Sequence, residues 1–119
     1  MKLSYETIDA LNTAYTNLPV KGIVVLTLAE NMIKLNPHLK AALAVKDKLI
    51  KENTGGKEQI SSGHKNWQKF AMDYNLVLKK EIEVVGLEKL KKTDINFDKE
   101  VDGNLQALLK VLLENGLLE

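Results

Sequence analysis

Gly103-Asn-Leu-Gln-Ala-Leu-Leu-Lys-Val-Leu-Leu-Glu-Asn-Gly-Leu-Leu-Glu119 carries leucine at 105, 108, 109, 112 and 113. That is the i, i+3, i+4, i+7, i+8 series of one helix face. Asp102 fits the N-cap, and Gly116 fits the left-handed residue after the last turn, with Leu117 folding back. Burying five leucines contributes roughly 1.5–3 kcal/mol each, about 7–15 kcal/mol gross for the helix. Such a helix either closes the chain's own core or reaches another molecule. Leu105, Leu108, Leu109, Leu112 and Leu113 are therefore the candidate partner-binding residues.

The residues before it divide by periodicity. Ser4 caps a first helix whose face is Ile8, Leu11, Tyr15 and Leu18, and Pro19 and Gly22 end it. Lys21 to Leu35 is apolar on most sides at its start and could begin as a strand, but its length and the Ala-Glu-Asn-Met-Ile-Lys continuation favour a buried helix. Asn36-Pro37 then starts a new helix or kinks the old one. His38 to Glu52 continues with Leu39, Ala42, Leu43, Leu49 and Ile50 on one face. Asn53 to Gly63 is polar, holds Gly55 and Gly56, and predicts the most mobile internal loop. Beyond it, Trp67, Phe70, Ala71, Tyr74, Val77 and Leu78 form the cleanest amphipathic pattern, making an antiparallel helical hairpin with the segment before the loop.

From Glu81 the period shortens to two. Glu81-Ile-Glu-Val-Val and Asp94-Ile-Asn-Phe-Asp98 predict two short strands, at 82–85 and 94–97, joined as a hairpin. The expected fold is thus mainly α: a small helical domain built on a long helical hairpin, with a short two-stranded β-hairpin near 81–98 and a C-terminal amphipathic helix. Residues 1–102 form one domain, and the leucine-rich helix of 103–119 is docked or exchangeable.

Composition narrows function by exclusion. The chain has 119 residues, 17 basic against 16 acidic, and a net charge of +1, so no large unipolar field steers a charged partner. Every basic residue is lysine, so the bidentate fork that reads guanine is absent. With no cysteine there is no disulfide or thiolate metal site. Residues 1–18 lack the apolar core of a secretory signal, and no apolar run reaches membrane length, so a cytoplasmic protein is expected.

No residue pattern specifies catalysis. His38 and His64 lack a second ligand at helical spacing. Thr54-Gly55-Gly56-Lys57 lacks the length and the Ser/Thr of a phosphate loop. Asp94, Asp98, Glu100 and Asp102 lack the glycine and terminal glutamate of a calcium loop. Glu81 and Glu83 share one side of a strand without a nucleophile beside them. Lys79, Lys80, Lys89, Lys91 and Lys92 form a basic patch interrupted by Glu81, Glu83 and Glu88, so nucleic-acid binding is disfavoured. No catalytic residue, cofactor or metal site is expected, and the protein reads as non-enzymatic.

The capped helix Ser4 to Leu18, the helical hairpin around Asn53 to Gly63, the aromatic series Trp67-x-x-Phe70-x-x-x-Tyr74, Glu81-Ile-Glu-Val84 and the leucine-rich end resemble one group in order and size. These are small, arginine-poor proteins of tailed phages of low-GC Gram-positive bacteria, which include chaperones of the tape measure protein in lactococcal siphophages. The resemblance implies a tail assembly chaperone that shields apolar helices of a tape measure protein, self-associates and works in the host cytoplasm. It transfers no individual residue. The alternatives are a phage-encoded inhibitor of a host nuclease or defence protein, and a nucleic-acid accessory protein.

Overall fold

The computed structural model describes residues 1–97 and 105–119. The chain runs β1 (Lys2–Ser4), α1 (Tyr5–Asn17), α2 (Val24–Thr54), α3 (Trp67–Lys79), β2 (Glu81–Glu83) and α4 (Leu105–Glu114). It is mainly helical, with one two-stranded antiparallel sheet and a C-terminal helix. Ser4 is extended and its Oγ accepts the Thr7 amide at 3.1 Å, so the cap that starts α1 also ends β1. All four residues of the predicted face of α1 are buried: Ile8, Leu11, Tyr15 and Leu18.

α2 passes unbroken through Pro37, so the expected division at Asn36-Pro37 does not occur. Proline there removes a helical N–H and crowds the Ile33 carbonyl, at a cost of about 3 kcal/mol. Both residues face solvent, where water can take the orphaned carbonyl. The prediction of a helix buried on most sides for 21–35 also fails. Leu28, Asn31 and Leu35 face inward, while Val25, Leu26 and Ile33 stand 52–70% exposed on the opposite side.

The β-hairpin needs correction. A strand forms at Glu81–Glu83, but its partner is Lys2–Ser4, in the register Lys2 to Glu83, Leu3 to Ile82 and Ser4 to Glu81. The segment expected as the second strand is instead a 3-10 turn at Lys92–Asp94, followed by a single bridge from Ile95 to Val20. Asp94 caps that turn by accepting the Lys91 amide at 2.9 Å, which bends the backbone before a strand can extend. Ile95 is fully buried between the helices, so the alternating pattern marks one inward side chain and not a strand.

The core lies at one end of the molecule. α1 packs on α2, α4 packs on α1, and Leu3, Val84, Leu90 and Ile95 close the remaining sides. Residues 84–97 hold little regular structure yet are stitched down by backbone bonds. The Val84 amide donates to Met1 O at 2.9 Å, Leu90 bridges to Leu118 through bonds with Leu117 O and the Glu119 amide, and Asn96 donates to Pro19 O. α2 alone spans about 46 Å at 1.5 Å per residue. Its far half projects beyond the core with α3 packed beside it. The long axis is accordingly 50 Å and the radius of gyration 16.8 Å, against roughly 13–14 Å for a compact chain of this length.

Candidate partner-binding groove

The five C-terminal leucines divide between core and surface. Leu112 is fully buried, Leu105, Leu108 and Leu109 pack half-buried against the core, and Leu113 is 50% exposed. The end of α4 is locked. Gly116 has φ +69°, its amide donates to Leu113 O at 3.1 Å, and the Leu117 amide reaches back to Leu112 O at 2.9 Å. This pair of bonds satisfies the last carbonyls and turns Leu117 and Leu118 into the core. The tail is docked in its own fold. The expected cap Asp102, with Asp98 and Glu100 of the acidic series, lies outside the described residues.

An open apolar surface exists elsewhere, between the projecting half of α2 and α3. Asn66 bonds Asn53, Lys46 lies over Tyr74, and Leu39 and Ala42 share a recess with Leu78, so the two helices run antiparallel as predicted. The rings of Trp67 and Phe70 lie 5.6 Å apart, and those of Phe70 and Tyr74 stack at 5.8 Å. Of the predicted α3 face only Phe70 is buried; Trp67, Ala71, Tyr74 and Leu78 are partly exposed. They floor a cavity of about 570 Å³ that opens to solvent, with Gln59 and Ile60 at one end.

Tyr74 and Lys46 form the sill between this cavity and a recess of about 330 Å³ that reaches Tyr5 and Asp9 of α1. The Lys46 ammonium sits 5.4 Å from the centre of the Tyr74 ring, a cation–π distance. Burial raises the Tyr74 hydroxyl above its ordinary pKa of 10.0, and the Asp9 carboxylate adds to the rise. Trp67 to Leu78 covers about 17 Å of helix, three turns of a bound partner.

The ends of the loop beside the groove are held by hydrogen bonds. Asn66 Nδ2 donates to Asn53 O at 2.8 Å, Thr54 Oγ1 donates to Ile50 O and accepts the Lys57 amide, and His64 Nδ1 accepts the Asn66 amide at 3.0 Å. Gly55 and Gly56 take positive φ and end α2, which is a capping role. Two members of the other candidate clusters have structural partners. Glu83 binds the N-terminal ammonium at 2.6 Å, which holds its carboxyl below the usual range, and Lys79 pairs with Glu6 at 2.9 Å. Among the described residues no three acids or histidines converge as a metal site, and no helix is long and apolar enough to cross a membrane.

The sequence places the aromatic series on one face of a helix within a hairpin. Half-burial was not legible, because an amphipathic pattern fixes which face is apolar and not how much of it is covered. Comparison of the chain with models of known protein families, with curated proteins and with solved structures finds no match in any of the three.

Proposed function

We propose that this protein is a non-enzymatic protein-binding factor that receives an amphipathic client helix in the groove between α2 and α3. One observation carries the reading: Trp67 and Tyr74, packed on the buried Phe70 ring, lie partly open, with about 570 Å³ of apolar-lined space above them. Apolar surface held open on two packed helices is the arrangement used for helix-in-groove recognition. Lys46 at the sill adds a cationic contact for an acidic residue flanking the client's apolar stripe. Modest affinity suffices for a shielding role, since a long client offers many sites and linked copies gain avidity.

The client class is a long helical chain with repeated apolar stripes. The resemblance of the sequence to small phage proteins supports a tape measure protein in that role, with assembly of a phage tail in the host cytoplasm as the setting. The docked tail favours one other reading, in which the same groove seizes a host nuclease or defence protein as an inhibitor.

The chain's single tryptophan sits in the groove, so occupancy has an intrinsic reporter. Titration with a leucine-striped amphipathic peptide should shift Trp67 emission to the blue and saturate. Ala71→Glu, which puts a carboxylate on the floor, should abolish the shift while helicity is retained. An unchanged spectrum at about 1 mM peptide, where even a binding energy near 4 kcal/mol registers, would end the reading. Co-expression with a tape measure fragment then separates the chaperone from the inhibitor: improved solubility of the fragment marks the chaperone.

A further inference from the structure

The solvent side of the first half of α2 is the second open apolar surface, and it lies apart from the groove. Leu26, Ala29, Ile33 and Pro37 follow one stripe at i, i+3, i+7 and i+11, with Val25 beside them. Val25 is 61% exposed, Leu26 52%, Ile33 70% and Ile23, just before the helix, 81%. A solvated helix face ordinarily carries charge. Here Glu30, four residues after Leu26 and three before Ile33, borders the stripe on one side, and the Lys34 ammonium beyond it is drawn off by the Gly86 carbonyl. Beside Ile33 a shallow hollow of about 280 Å³ opens toward α1, lined by Asn12, Met32 and Asn36.

From these features we infer that a second copy of this chain docks here, α2 against α2 in antiparallel order about Ala29. Val25 and Ile33 are equidistant from Ala29, so a two-fold axis there sets Val25 of each copy against Ile33 and its hollow on the other. Knob and hole are thus supplied by the same face, which is the condition for a closed two-fold contact. Alanine at the axis lets the helices approach closely. The four exposed side chains present on the order of 500 Å², the upper range for a monomer's largest patch. Two such patches bury about 1,000 Å², the lower limit for specific association. The dimer is therefore weak, with a dissociation constant between micromolar and millimolar. The inference stands independently of the client groove, which uses other residues.

Sedimentation equilibrium of the full chain up to about 1 mM tests it. The mass should rise with concentration from 13.3 kDa toward twice that value. Ile33→Lys, at a site already exposed, should weaken association at least about 30-fold with helicity unchanged. The absence of cysteine gives a second test, the register. Ala29→Cys should form a disulfide-linked dimer on oxidation, and Ala44→Cys, about four turns away on the same face, should not. A monomer throughout, association indifferent to Ile33→Lys, or equal cross-linking from both cysteines would each overturn the inference.

Discussion

Asn31 grips both backbone groups of Glu88. Its Nδ2 donates to Glu88 O at 2.9 Å and its Oδ1 accepts the Glu88 amide at 2.9 Å, 57 residues along the chain. Asn31 is fully buried on α2, between Leu28 and Leu35. Its contacts hold an irregular segment to the helix as a strand partner would.

Asn31→Ala removes both bonds and leaves the part-buried Glu88 groups without their side-chain partner. The expected loss is about 1–3 kcal/mol, read as a lower urea midpoint at constant slope. Tyr15→Phe removes only the longer 3.3 Å contact from Asn31 Nδ2 to Tyr15 Oη and should cost less than about 1 kcal/mol. Equal losses from the two variants would show that Asn31 contributes by filling space.

Tyr15 also sets an alkaline limit. Burial pushes its hydroxyl up from 10.0 to about 12, with the Asn31 bond opposing the rise. The folded state thus prefers the neutral phenol. Its contribution is complete below pH 10 and is lost as pH climbs from about 10 toward 12, to a total of about 2–3 kcal/mol. Thermal melts across that window should fall more steeply for the native chain than for Tyr15→Phe. Parallel slopes would remove Tyr15 as the cause.

The docked tail makes a contrast within one helix. Leu112→Ala opens a cavity in the core and should cost about 2–5 kcal/mol, whereas Leu113→Ala, at a half-exposed site, should cost less than about 1 kcal/mol. Truncation after Asp102 removes buried Leu112, Leu117 and Leu118 together, about 4–9 kcal/mol of burial. That is comparable with the whole stability of a small domain, so cooperative unfolding should vanish. A truncated chain that stays folded and monomeric would make the tail exchangeable and return it to candidacy as a partner element.

Helices were legible in this sequence where a local signal fixes a local structure. Ser4, Gly116 and the 3.6-residue spacing of Ile8, Leu11 and Tyr15 act within a few residues and need no knowledge of the rest. Strand pairing was not legible, because Ile82 could meet any short extended segment and its partner Leu3 lies some eighty residues away. The alternation of Asp94-Ile-Asn-Phe carried no information about the Asp94 cap that bends it. Asn31 left a faint signal, a polar residue at i+3 between Leu28 and Leu35. Its acceptor and donor on Glu88 could not be inferred without the fold. The groove was hidden for the same reason: coverage of the Trp67 face depends on where α1 and α4 stop.

Pro37 gives the last test, because α2 continues through it. The proline lies on the solvent face, so replacing it disturbs no core packing. Pro37→Ala restores an N–H to the Ile33 carbonyl and relieves the ring's crowding, a gain of up to about 3 kcal/mol. The more flexible unfolded chain takes back about 0.4–1 kcal/mol. The variant should therefore be more stable by about 1–2 kcal/mol, read as a higher urea midpoint and a thermal midpoint raised by several degrees. An unchanged or lower midpoint would mean that the backbone near Pro37 departs from regular helix enough to make proline the better residue there.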